Sequence, residues 1–189
     1  MPPMASLHPD IADCQDSVLV VIDCQERLWK VMLEKDQLEA RLLTLVRGAQ
    51  VLGVPVIFTE QNPAGLGPTL PTLRDAAATA PCIAKQSFNC AGAPEFLTAL
   101  RATERGTLVL CGVETHICVL QTALAALARG YKVQVVQDAC GGRFPSNRIA
   151  GLERMARAGA VVTLIESVFF EWMGGTDNPG FRAIRDLIK

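Results

Sequence analysis

Short apolar runs recur along the chain at 18–22, 54–58, 82–84, 107–111, 133–136 and 160–165. Between them lie longer stretches in which apolar residues return every three or four positions. Most of the short runs are continuous rather than alternating and are rich in Val, Ile and Leu. Strands covered on both faces, as in a parallel sheet, carry this pattern. The longer stretches read as amphipathic helices. Asp36 with Glu39 forms a capping signal ahead of a stripe of Leu38, Leu42, Leu45, Val46 and Ala49, and Gly53 stops that helix before Pro55. Pro94 opens a second helix and Gly106 closes it. A third spans 118–129 and ends at Gly130. A fourth begins near Ser146 or Asn147 and ends at Gly159. Asn178-Pro179 opens a last helix with Phe181, Ile184, Leu187 and Ile188 on one face.

Strand and helix units in this alternation, joined by right-handed crossovers, predict a three-layer α/β/α sandwich around a six-stranded parallel sheet. The 189 residues suit one domain over 1–189, with 1–16 as an N-terminal extension. The segment 61–81 is the irregular part, punctuated by Pro63, Gly65, Gly67, Pro68 and Pro71. A loop of that length inside a compact domain serves as a lid or binding edge, as an oligomer contact, or as plain surface.

Half the residues are hydrophobic and 20% are charged, a globular composition. With 18 Lys+Arg against 19 Asp+Glu, no basic run longer than a pair and 5% aromatic residues, the chain lacks the concentrated cationic surface that nucleic-acid binding requires. No apolar stretch approaches the ~20 residues that cross a bilayer, so no membrane partner is expected. The N-terminal residues carry neither an apolar signal core nor an Arg-rich amphipathic face. Seven cysteines, an odd number set mostly in apolar runs, fit reduced thiols better than a disulfide framework. A cytoplasmic location is the expectation.

In an open parallel sheet, ligands bind beyond the carboxyl ends of the strands. Three polar residues stand there. Asp23 ends the first run in Val-Val-Ile-Asp-Cys-Gln, and Lys85 ends the third in Cys-Ile-Ala-Lys-Gln-Ser-Phe. Cys118 follows the fourth, in Gly-Val-Glu-Thr-His-Ile-Cys, at the opening of an apolar helix. A thiol at a helix start meets the positive end of the dipole, which favours the thiolate. The same Cys also fits as a small packing residue. A thiol of pKa about 8.5 needs a base and a positive neighbour to react near neutrality, and the acid and the cation supply both. Taken singly, Asp23 also reads as a turn former and Lys85 as a solvated side chain. A primed Cys118 is expected to take iodoacetamide well below pH 8.5, ahead of the other six thiols.

The segments 18–25, 85–88 and 112–123 resemble the three signature segments of the isochorismatase-like cysteine hydrolases. Thr-Glu-Gln-Asn-Pro-Ala-Gly-Leu-Gly-Pro-Thr at 59–69 and Glu-Ser-Val-Phe-Phe at 166–170 are similar to the subgroup of isochorismatase-domain-containing proteins and bacterial YcaC-like hydrolases. The resemblance implies Cys118 as nucleophile, Asp23 as general base and Lys85 as charge stabiliser. It implies a cis peptide at Val113–Glu114 and an oxyanion hole from the backbone N–H groups of Glu114 and Cys118. Gln25 matches a family position near the substrate pocket, as a second-rank site residue. His116, two residues before Cys118, reads as a capping or pocket-wall residue rather than as a Cys–His relay, because residues two apart at a helix start point in different directions. The activity implied is hydrolysis of a C–N bond in a small amide, ureido or carbamoyl compound through a thioester, with no cofactor. Homo-oligomers are common in the family.

The departures narrow the expectation. Nicotinamidases of the family bind a metal through an Asp and two His after the second strand, where this chain has no His. Only His8 and His116 occur in the whole sequence, so no metal is expected. True isochorismatases cleave an enol ether without a cysteine nucleophile, which Cys118 argues against. No Gly-x-Gly-x-x-Gly follows the first run, which disfavours a dinucleotide oxidoreductase. A scaffold or partner-binding protein with little catalysis is the alternative of a different class. Asp138 reads as a turn and helix-anchoring residue. Cys24, Cys90, Cys111 and Cys140 read as packing thiols.

Overall fold

The computed structural model describes residues 8–189. In chain order the elements are β1 (Ser17–Ile22), α1 (Glu26–Trp29), α2 (Lys35–Val51), β2 (Val56–Gln61), α3 (Pro63–Leu66), α4 (Pro71–Ala76) and β3 (Cys82–Lys85). There follow α5 (Pro94–Ala102), β4 (Thr107–Gly112), α6 (Leu120–Leu127), β5 (Lys132–Cys140), α7 (Pro145–Arg157), β6 (Val161–Thr163), α8 (Ile165–Met173) and α9 (Phe181–Leu187). The six strands form one parallel sheet in the order β3-β2-β1-β4-β5-β6, with helices on both faces. This is the α/β sandwich that the continuous apolar runs predict.

Burial explains the order. Every residue of β1 and β4 is buried, so these two occupy the centre, whereas β3 and β6 are short and part-exposed at the edges. Alternate residues of β1 feed opposite layers. Leu19 and Val21 pack under α2, α8 and α9, while Val18, Val20 and Ile22 pack under α5, α6 and α7. Because β1 and β4 are neighbours in space but not in sequence, the crossovers diverge there and leave a crevice at their carboxyl ends.

The elements depart from the pattern in places with identifiable causes. The α2 stripe is buried as read, but the helix starts at Lys35 behind Glu34, which sits in left-handed backbone (φ 50°) and gives no side-chain cap. Asp36 lies inside the first turn. Glu39 accepts a hydrogen bond from Thr72 Oγ1 at 2.6 Å instead of closing a capping box. The second strand begins at Val56, because Val54 is still bonded to Ala49 of the helix end, and it runs on to Gln61, where β3 supplies a partner. The segment 61–81 carries the short helices α3 and α4.

The helix read over 118–129 is regular only from Leu120. Ahead of it, Thr115–Val119 form a wide π turn in which Val119 N–H reaches Glu114 O. The run at 160–165 is strand only over Val161–Thr163, after which α8 begins, with its first N–H, that of Ile165, bonded to Asp138 Oδ1 at 3.1 Å. Asp138 thus anchors a helix as expected, though from within β5 rather than from a turn. Of the stretch 1–16, residues 1–7 lie outside the described residues. The remainder is tied to the body, Ala12 N–H donating to Glu171 Oε2 and Gln134 Nε2 to Asp10 O, each at 2.8 Å.

Candidate active site

Asp23 leaves the end of β1 with φ 53°, a left-handed conformation that Asp tolerates better than most residues. Its backbone N–H donates to Thr59 O at 3.1 Å, which holds the turn against β2. Lys85 ends β3, two strands away. The two side chains meet across the crevice, Lys85 Nζ donating to Asp23 Oδ2 at 2.7 Å with both 0% exposed. Two buried charges are tolerated only when paired and fully bonded, and these are. Asp23 Oδ1 accepts from Thr59 Oγ1 at 2.7 Å. Lys85 Nζ also donates to Gln61 Oε1 at 2.9 Å and to the carbonyls of Ser87 and Phe88 at 3.2 Å.

Cys118 lies in the π turn after β4, and only 5% of its surface is open. Burial is the main force on its thiol and pushes its ionisation up. The negative charge of Asp23 pushes the same way, and Lys85 opposes it. The helix-start argument therefore points the wrong way for the resting protein. Desolvation and the neighbouring carboxylate both work against the thiolate that the helix-start position favours. The Val113–Glu114 peptide is cis. It follows Gly112, whose φ of 111° excludes other residues. A Cβ there would lie 2.1 Å from Ile22 O, so only glycine lets β4 pass β1 so closely.

The π turn is anchored by its own residues. Thr115 N–H and Oγ1 both donate to Gly141 O, and Ile117 N–H donates to Glu114 O. The buried Glu114 carboxylate accepts from Arg143 N and Nε at 3.1 and 3.2 Å. His116 turns toward α7, its Nε2 3.3 Å from Asn147 Nδ2. Gly151 of α7 passes so near that a Cβ would sit 2.9 Å from His116 Cα. Gln25 is buried with its amide wholly engaged, donating to Gln61 O and Gly67 O at 3.0 and 2.7 Å and accepting from Gln61 N at 2.8 Å. It acts as a clasp tying the β1 turn to the loop after β2.

The structure thus brings Asp23, Lys85 and Cys118 to one crevice, with Gln25 behind it and His116 beside α7. Sequence reasoning gave no role to Thr59 or Gln61, whose signals were their place in the subgroup-like segment 59–69 and their two-residue spacing at the end of β2. Cys90, read as a packing thiol, donates to Thr59 Oγ1 at 3.7 Å. A cavity of about 210 Å³ opens among Leu33, Leu38, Arg41, Asp138, Phe144 and Arg148, and neither Asp23, Lys85 nor Cys118 lines it. Among the described residues, no cluster of three or more His, Cys, Asp or Glu is placed to hold a metal ion. No helix among them is long and apolar enough to cross a membrane.

The three-layer α/β/α sandwich thus carries a carboxylate, an ammonium and a thiol at the carboxyl ends of its strands. The family profile described as "Isochorismatase domain" matches residues 17–167, and the chain belongs to that family. Isochorismatase domain-containing protein 2 of Xenopus laevis is 36% identical, the match covering 92% of this chain and 84% of the relative. Among solved structures, the MAR1 ribonuclease of Caenorhabditis elegans superposes with a TM-score of 0.89 at 34% identity, covering 94% of this chain and 92% of the other. The YcaC gene product of Escherichia coli, described as an octameric hydrolase of unknown specificity, gives a TM-score of 0.89 at 29% identity, covering 94% and 90%.

Proposed function

We propose that this protein is a cofactor-independent cysteine hydrolase that opens a C–N bond in a small amide, ureido or carbamoyl compound. The observation that carries the reading is the buried Asp23–Lys85 ion pair beside the nearly enclosed Cys118 thiol, whose ionisation both charges influence. Burial and Asp23 push the thiol's pKa up, so attack and deprotonation are coupled. Cys118 Sγ bonds to the substrate carbonyl carbon as its proton passes to Asp23. The N–H groups of Glu114 and Cys118 hold the oxyanion. The C–N bond breaks and the amine departs with the proton from Asp23, leaving a thioester on Cys118. Water then attacks, giving its proton to Asp23. Asp23 returns a proton to the sulfur, and the acid is released. Lys85, held by four oxygen acceptors, is the charge partner of Asp23 in a buried place.

The test screens amides, ureido acids, carbamoyl compounds and RNA against wild type and Cys118→Ala, with mass spectrometry to find an acyl adduct on the Cys118 peptide. Cys118→Ala is expected to abolish turnover and to leave thermal stability nearly unchanged. Turnover surviving in that variant removes Cys118 as nucleophile. The C. elegans neighbour is named a ribonuclease, but the near-neutral charge of this chain, with no basic run longer than a pair, favours a small substrate over a polyanion. One observation favours a scaffold instead, namely the slight exposure of Cys118. Failure of the whole panel to acylate Cys118 would support it.

The assembly proposed is a homo-oligomer. The E. coli neighbour is described as octameric, and Val31, Leu33, Phe144 and Ile149 present exposed apolar surface here. The seven cysteines are free thiols, in keeping with a reducing compartment such as the cytoplasm.

A further inference from the structure

Side chains two residues apart on a strand point the same way. At the end of β2 this rule sends Thr59 to Asp23 and Gln61 to Lys85. The two oxygens of the Asp23 carboxylate are consequently held by different donors, Lys85 at Oδ2 and Thr59 at Oδ1, each at 2.7 Å. A carboxylate gripped at both ends cannot rotate, and the lone pairs that remain are aimed in fixed directions.

The Thr59 hydroxyl is itself directed. Cys90, at the start of the 3₁₀ turn Cys90–Gly92, donates its thiol proton to Thr59 Oγ1 at 3.7 Å. Cys90 is in turn fixed by its backbone N–H, which donates to Thr122 Oγ1 of α6 at 3.0 Å. Burial raises the Cys90 thiol to about 11, so it keeps its proton at neutral pH. With a donor occupying its oxygen from behind, the single proton of the Thr59 hydroxyl goes to Asp23.

We propose that Thr59, backed by Cys90, is a positioning residue that orients the Asp23 carboxylate to exchange a proton with Cys118. The proposal rests on the reading of Asp23 as proton acceptor. It makes Thr59 matter for proton transfer and not for substrate binding, because its hydroxyl is buried and points away from solvent.

The probe is p-nitrophenyl acetate, with Cys118→Ala as the blank and nitrophenolate release as the readout. Thr59→Val keeps the side-chain shape and removes the hydroxyl. It is expected to lower kcat about tenfold with KM within about twofold of wild type. Thr59→Ser, which restores the donor, is expected to recover kcat to within about threefold. Cys90→Ala, which leaves the carboxylate's own contacts in place, is expected to lower kcat about threefold, again at unchanged KM. Wild-type kcat in Thr59→Val or in Cys90→Ala overturns the proposal, as does equal loss in Thr59→Val and Thr59→Ser. Cys118→Ala as active as wild type overturns the nucleophile reading itself, and the proposal falls with it, whatever the Thr59 variants do.

Discussion

Lys85 spends one ammonium on four oxygens, and Asp23 spends one carboxylate on two donors, in a place water does not reach. Removing one partner leaves the other charge buried and unpaired. Lys85→Met is therefore expected to cost about 3–5 kcal/mol in urea denaturation, and adding Asp23→Asn to recover part of that loss. A Lys85→Met protein as stable as wild type would show that the pair is solvated. Cys118 is governed by the same enclosure. With its thiol held protonated by burial and by Asp23, alkylation by iodoacetamide at pH 8 is expected to be slower than for a free thiol in solution, and to rise with pH. Mass spectrometry of the Cys118 peptide checks this, and faster labelling than the free thiol would restore the thiolate. Asp23, Lys85 and Cys118 were legible because acid, cation and thiol stand out at the ends of apolar runs. Thr59 and Gln61 were not, because a polar pair at a strand end has no direction until β2 pairs with β1 and β3.

At the scale of elements, helix ends decide how the site is held. Helix α8 has no cap of its own. Its first N–H is satisfied from β5 by Asp138 Oδ1, a partner 27 residues away in sequence. Asp138→Ala is expected to cost about 1 kcal/mol, read as a lowered midpoint of thermal unfolding, with Asp138→Asn keeping most of it. Equal loss in both variants would show that the charge, rather than the acceptor, matters. Helix α7 reaches the π turn only because Gly151 has no side chain, so Gly151→Val must push α7 off the backbone of His116 and disturb the turn carrying Cys118. The strands were readable from their continuous apolar runs. The π turn and α8 were not, since no residue type marks their starts and only the contacts with Glu114 O and Asp138 show where geometry changes.

For the whole molecule, the buried thiols link stability to alkaline pH. Unfolded thiols ionise near 9, while folded Cys90 and Cys140 hold their protons to about 11 and about 12, chiefly through burial. Folded pKa values raised in this way add stability that is whole below pH 9 and is lost as pH climbs through 11 to 12. The unfolding midpoint is expected to fall over that window, and to fall less steeply in Cys140→Ala. An identical slope in that variant would place the loss elsewhere. Light scattering is expected to give a mass well above the 20.3 kDa of one chain, and a monomer would remove the proposed assembly. The sequence by itself determined the parallel sheet, because strands covered on both faces must be apolar throughout, and it marked Asp23, Lys85 and Cys118, because polar groups at strand ends interrupt that pattern. Only the tertiary structure decided how these side chains act on one another. Strand order brought Asp23 against Lys85, enclosure raised the pKa of the Cys118 thiol, and the register of β2 turned Thr59 toward the carboxylate, all of which depend on distances between residues far apart in the chain.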